Sequence, residues 1–423
     1  MYPPMLPHSL VDHRYNGSAG LLPSVRVLRL GRSLNRLLSS QLLAFLLAVV
    51  SSVGCSQKPP APDIAPADAA VTTAAPAVTP TVTPAAAAKD VMVLKPRARF
   101  TIAPTEARKS DDGPGVSRLF LSADGKRLAV SIQDSRTGAT SAEVWDIAGQ
   151  PKRLSKHARA IDALSPEGMR VVRRCEAGTQ EVAEAATGRR LADLPVVGNH
   201  VFFRNPTIII SLNRSADWQK AHPLTVREFD AITGLALGSF VTSDDDRVNV
   251  APLINQGYEL ALGVERANRF QVWDLLTRKS VRQFLMTPEP SPEKSQEIVS
   301  WNGFAVSPDG RWVAVRQGSL PLQIHDGITG AIVATLPVGV NGFHSVFLPD
   351  RPIYLTPSNI TRADITGTSV DVVAYDIPRK SLVGVFRGHE KPGIKVAVSA
   401  DGTVLVTGDE TGNVLLWNLA ELR

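Results

Sequence analysis

Residues 388–418 read GHEKPGIKVAVSADGTVLVTGDETGNVLLWN. In the middle stands Ser399-Ala400-Asp401-Gly402, where Asp supplies a side-chain bond and Gly the permissive φ that a tight turn needs. Apolar runs flank that turn, and the stretch closes on Val414-Leu415-Leu416-Trp417-Asn418. The pattern is strand, turn, strand, loop, strand, the last strand ending in an aromatic residue and a turn former.

Upstream the same ending recurs. It appears as Val144-Trp145-Asp146, Glu228-Phe229-Asp230, Val272-Trp273-Asp274, Ile324-His325-Asp326 and Ala374-Tyr375-Asp376, with a degenerate copy at Val182-Ala183-Glu184. Positions 145, 183, 229, 273, 325, 375 and 417 lie 38 to 52 residues apart. The turn recurs too, as Ser122-Ala123-Asp124-Gly125, Ser165-Pro166-Glu167-Gly168 and Ser307-Pro308-Asp309-Gly310. Weaker versions are Asn255-Gln256-Gly257 and Leu348-Pro349-Asp350. A fourth strand such as Ala331-Ile332-Val333-Ala334-Thr335-Leu336 follows the aromatic. Four strands per unit and a period of about 40–50 residues predict an all-β, seven-bladed propeller of four-stranded antiparallel blades. One such unit cannot bury both its faces, and a ring of them can.

Residues 388–418 resemble a WD repeat, and the likeness extends more loosely over 91–423. The resemblance implies a WD40-type propeller that acts as a protein-interaction scaffold. It also implies a buried hydrogen-bond network inside the last blade, shared by His389, Thr407 and Trp417. Thr411 stands where the family has an Asp, so the network is expected to be incomplete. The repeat pattern stops just past the third strand of the last unit, while an orphan apolar segment, Val91-Met92-Val93-Leu94 to Phe100-Thr101-Ile102, precedes the first. This segment is expected to complete the last blade and close the ring, as in many WD-repeat rings, which removes open sheet edges.

Residues 1–90 are of another kind. Arg26, Arg29, Arg32 and Arg36 precede the apolar run Leu42 to Val50, and Ser51-Ser52-Val53-Gly54-Cys55 follows, so 1–54 reads as a secretory signal. Its end resembles a bacterial lipobox, in which the cysteine is acylated. Gly54 fits that pattern, and Ser52 stands where a leucine is usual. Residues 55–90 read as a lipidated Cys55 followed by an Ala/Pro/Thr-rich spacer, too poor in apolar surface to fold alone. The order is leader 1–54, anchor and linker 55–90, propeller 91–423. It implies export to the cell envelope and a membrane anchor through Cys55, on the periplasmic side or at the cell surface.

The net charge of +6 does not point to nucleic acid. Five arginines and one acid lie within 1–54, which leaves 41 basic against 39 acidic residues. No basic stripe with interleaved aromatics follows. Two cysteines, Cys55 and Cys175, exclude a disulfide framework, and Cys175 reads as a quiet strand thiol. The eight histidines show no metal-ligand spacing, with His8, His13 and His157 placed in the leader or in turns. Asp244-Asp245-Asp246 reads as a solvated loop. Asp230-Ala231-Ile232-Thr233-Gly234 and Asp326-Gly327-Ile328-Thr329-Gly330 match the start of a quinone-propeller motif, but Gly238 and Ala334 replace its docking tryptophan, so both read as turns. No catalytic, metal or cofactor site is expected.

Three connections are longer than the fold requires: 213–223 with Trp218 and His222, 286–301 ending at Trp301, and 356–370. Long loops on a rigid scaffold are where binding residues concentrate. The expectation is a monomeric, membrane-tethered propeller that docks a protein or peptide through them. The alternatives are an envelope enzyme or small-molecule sensor with a lactonase- or quinoprotein-like site in the central channel, and an outer-membrane assembly lipoprotein. An eighth blade would favour the latter.

Overall fold

The computed structural model describes residues 91–102, 114–134, 137–175, 179–195, 198, 200–213, 224–243, 248–253, 259–264, 269–286, 301–317, 320–336, 344–358 and 371–422. Among them are 29 strands, arranged in seven separate sheets. Blade 1 is β3(Pro114–Leu121) to β6(Lys152–His157), and blade 2 is β7(Ile161–Leu164) to β10(Arg190–Leu194). Blade 3 runs from β11(His200–Asn205) to β14(Ala236–Ser243), and blade 4 from β15(Val248–Leu253) to β18(Lys279–Leu285). Blade 5 runs from β19(Trp301–Val306) to β22(Ile332–Thr335), and blade 6 from β23(Val346–Phe347) to β26(Ser381–Phe386). Blade 7 contributes β27(Lys395–Val398), β28(Val404–Gly408) and β29(Asn413–Asn418). Within each blade successive strands pair antiparallel.

The aromatic positions of the repeat fall near the end of the third strand in every blade. Trp145 is in β5, Phe229 in β13, Trp273 in β17, His325 in β21, Tyr375 in β25 and Trp417 in β29. The degenerate Ala183 keeps the same place in β9. There it packs in the interface of blades 1 and 2 with Val144, Ile161, Leu164 and Val171, which supply the bulk it lacks.

The core lies between the blades. Buried apolar residues form seven clusters, each drawn from two neighbouring blades. The cluster of Val404, Val406, Val414 and Leu416 with Val116, Leu128 and Val130 joins blade 7 to blade 1 and closes the ring.

First-to-second-strand turns use one device four times. Ser122, Ser165, Ser307 and Ser399 are buried, and each hydroxyl accepts from a backbone N–H five residues on. Ser122, Ser307 and Ser399 also donate to the following Asp. Gly125, Gly168, Gly310 and Gly402 then take φ of 64–72°, which only glycine adopts freely. Blade 3 makes this turn with Asn205-Pro206-Thr207 instead, the Asn carboxamide accepting from two backbone N–H groups. Residues 255–257 lie outside the described residues.

The orphan segment does more than complete one blade. β2(Ala98–Thr101) pairs antiparallel with β29 as the outer strand of blade 7. β1(Met92–Leu94), however, pairs parallel with β26 and makes a fifth strand on blade 6. Pro96, between them, carries no backbone donor and takes no part in either ladder. Gly384 on β26 makes room, since a Cβ there would lie 2.5 Å from Leu422 Cδ1 and 3.2 Å from Leu94 Cδ1.

His157 is not in a turn. It ends β6, almost fully buried, and its Nδ1 accepts from Arg173 of blade 2 at 2.8 Å.

If the strap closes the ring, Leu94→Ala and Ile102→Ala should each destabilise the protein by about 2–4 kcal/mol. Urea unfolding measures this, and unchanged midpoints would mean the ring closes without the strap.

Candidate interaction surface

Strand polarity divides the surface into two faces. First-to-second and third-to-fourth strand turns lie on one, the turn face. Second-to-third connections and the links between blades lie on the other, the loop face. The flanking strands of all three long connections, β12(Ile208–Asn213) with β13(Leu224–Asp230), β18 with β19, and β24(Ile353–Ser358) with β25(Asp371–Asp376), meet them on the loop face. Trp301 is the first residue of β19, and its backbone pairs with Gln317. Cys55, Trp218, His222, His8, His13 and Asp244–Asp246 lie outside the described residues.

At the loop-face end of blade 7 the structure brings His389, Thr407 and Trp417 together. The Trp417 indole N–H donates to Thr407 Oγ1 at 2.9 Å, and Thr407 Oγ1 lies 2.7 Å from His389 Nε2. His389 Nδ1 lies 2.9 Å from Asp409 Oδ2. A neutral imidazole carrying its proton on Nδ1 satisfies every member. The network is therefore complete, and its acid is Asp409 rather than a residue at position 411. Thr411 is a partner of that acid: its N–H and hydroxyl donate to Asp409 Oδ1, as Asn413 donates to both carboxylate oxygens. Burial pushes the Asp409 carboxyl up, but the bonds from His389, Thr411 and Asn413 outweigh it and hold the pKa below the ordinary value. The signal in the sequence was Asp409-Glu410-Thr411-Gly412, an Asp that caps its own turn.

Other blades dispose of the indole N–H differently. Trp145 donates to Glu143 and Trp273 to Gln271, each two residues back on its own strand.

Near the channel mouth on the loop face lies a charged cluster that the sequence did not single out. Asp162, buried at the start of β7, accepts from Arg118 Nη1 of blade 1 at 2.7 Å, Arg174 Nε at 3.1 Å and Gln180 Nε2 at 2.7 Å. Farther round, Lys395 Nζ donates to His344 Nε2 at 2.8 Å. Arg118 and Arg174 are both 44% exposed, so their outer edges are open to a partner. The turn-face end of the channel is apolar. A cavity of about 220 Å³ there is lined chiefly by Phe120, Leu164, Phe202, Phe203 and Val398, with Arg204 and Glu259 at its edge.

Asp230 and Asp326 sit in third-to-fourth-strand turns. Each carboxylate accepts from the N–H of the Thr three residues on, which holds its pKa low. Cys175 follows β8, and burial raises its thiol pKa above the ordinary value, with Glu181 adding to the effect. A raised pKa leaves little thiolate. Among the described residues no group of three or more His, Cys, Asp or Glu could hold a metal ion.

Compared with known proteins, residues 380–418 match the model of the WD domain, G-beta repeat. The matched span covers β26 to β29 and includes His389, Thr407, Asp409 and Trp417. No curated protein matches the chain. WD40 propellers are generally protein-interaction scaffolds without enzymatic activity.

Two measurements test this geometry. Trp417→Ala should cost about 3–5 kcal/mol, as expected for a fully buried aromatic. Thr407→Val should cost about 1–3 kcal/mol by leaving His389 and Trp417 without their partner. A neutral result for both in urea unfolding would remove the network from the stability of blade 7.

The pH dependence has a sign of its own. Burial first, and Arg173 next, push the His157 pKa down from 6.5 to about 4. The folded state thus holds His157 neutral where the unfolded chain takes a proton. Its contribution is complete above pH 6.5 and is lost as the pH falls from 6.5 to about 4. That of Asp409 is complete above 3.8 and is lost below it. His157→Gln should flatten the thermal-melting profile between pH 6.5 and about 4; an unchanged slope would contradict this.

Proposed function

We propose that this chain is a membrane-tethered scaffold of the bacterial cell envelope that docks a protein or peptide on the loop face of its propeller. The observation that carries the reading is that the strands flanking 213–223, 286–301 and 356–370 all meet those connections on that face, beside the Arg118, Asp162 and Arg174 cluster. Loops on a rigid ring supply an adaptable surface, and exposed arginines at the centre suit an acidic or hydrogen-bonding partner. The signal-like 1–54, Cys55 and the Pro-rich spacer support export and anchoring by acylation. The chain acts as a monomeric binder without a catalytic centre.

A second reading has one observation in its favour. The apolar cavity at the turn-face end of the channel has the lining of a site for a small apolar ligand, which would make the chain a sensor. The outer-membrane assembly alternative called for an eighth blade, and the described strands form seven.

In-cell crosslinking of the full-length protein, read by mass spectrometry, tests the first reading beside a Cys55→Ser control. Crosslinks from 213–223, 286–301 or 356–370 to one envelope protein are expected, with acyl mass on Cys55. Crosslinks confined to the turn face, or a small molecule retained in place of a protein, would overturn it.

A further inference from the structure

The third-to-fourth-strand turns repeat one geometry with unequal side chains. The first residue after the turn acid is buried where it carries a side chain, as Ala231 and Leu275 are, and the second stands in solvent. In blades 3, 4 and 5 that second residue is Ile232, Leu276 and Ile328, exposed by 54, 59 and 66%. In blades 1, 2 and 6 it is Ala148, Ala186 and Pro378. Leu235 and Ile332, 66 and 48% exposed, extend the same arc. Large aliphatic groups thus stand in water on three consecutive blades, all on the turn face. Their recurrence at equivalent turns of consecutive blades sets them apart from singly scattered exposed groups.

The charges beside the arc point to what covers it. Asp230, Asp274 and Asp326 are folded into their own turns by backbone N–H groups. The cations are less enclosed. Arg278 takes the left-handed position (φ 57°) that Gly188, Gly234 and Gly330 hold in blades 2, 3 and 5, and lies over the Phe240 ring, 3.9 Å from Glu228 Oε2, with its side chain 45% exposed. Lys279 follows it in solvent.

Under the membrane-tethered reading proposed above, the path of the chain points the same way. Met92 pairs with Gly384 and Leu94 with Phe386 in parallel, so β1 runs from the turn face towards the loop face. The chain therefore enters the propeller on the turn face at blade 6, next to the arc.

We infer that the turn-face arc of blades 3 to 5 rests on a lipid bilayer. Its aliphatic tips enter the headgroup region, and Arg278 and Lys279 face lipid phosphates. Separate aliphatic tips suit a fluid interface, whereas a protein partner would need a matching contour. The inference goes beyond the docking reading; it rests on the membrane-tethered reading for the side from which the chain arrives, and does not need Cys55 to be acylated. It leaves the loop face turned away from the membrane, free for a partner.

The test uses the full chain with Cys55→Ser and Cys175→Ser, carrying one environment-sensitive dye on Leu276→Cys or Ile328→Cys. The control dye sits on Thr137→Cys, an exposed position on the loop face. Vesicles of phosphatidylethanolamine with phosphatidylglycerol should shift emission to the blue at 276 and 328 and leave 137 unchanged. Ile232→Ser combined with Leu276→Ser should abolish the shift at 328 while circular dichroism is preserved. No shift at 276 and 328, or an equal shift at 137, overturns the proposal. A shift that needs no vesicles and grows with protein concentration assigns the face to a second copy and overturns it as well. Crosslinks on the loop face would stand under any of these results.

Discussion

A four-stranded blade has two apolar faces, and only a closed ring gives both faces of every blade a neighbour. Everything else in this protein follows from that need. The seven buried clusters each join two adjacent blades, so removing one contact exposes surface on both partners. The ring is sealed where the two ends of the fold meet. Ile102 and Val116 from its beginning pack with Val404, Val414 and Leu416 from its end.

The seal is also where the blades cease to be equivalent. Blade 7 borrows β2 as its outer strand, and blade 6 gains β1 outside its own four. Leu94 and Leu422, from opposite ends of the described chain, both pack against Gly384. The four-membered polar network of blade 7 lies beside this junction, with Trp417 edge-on to Phe386 of blade 6 at 5.4 Å. Buried polar groups fix a single arrangement when every member is satisfied. Here the network holds the blade that the closing strand must find.

Much of this was legible in the sequence because the repeat is written in turn and strand chemistry. The third-strand ending and the Ser-x-Asp-Gly turn set the register of the blades, and even Ala183 kept its place because spacing, not bulk, defined it. The acid of the network was misplaced by two residues, since Asp409 and Thr411 both lie at a strand end and only the bond geometry separates their roles. Blade 3's turn, Asn205-Pro206-Thr207, hid because it solves the same problem with an Asn carboxamide. β1 was invisible as a strand of blade 6, since three apolar residues do not announce which edge they pair with. The Asp162 cluster was equally hidden, being assembled from Arg118, Arg174 and Gln180 on three strands of two blades. The aliphatic arc emerges only when equivalent turn positions are compared blade by blade.

Native-state hydrogen exchange at the seal tests the closed ring most directly. In β2 and its flanks, Arg97 N–H donates to Leu416 O and Ile102 N–H to Gly412 O. If the strap is part of the ring, these amides should exchange as slowly as those of β28 and β29, through the same global opening. Exchange at β2 that runs far ahead of β28 and β29 would contradict it, and would make the strap an attachment to a ring held shut by other contacts.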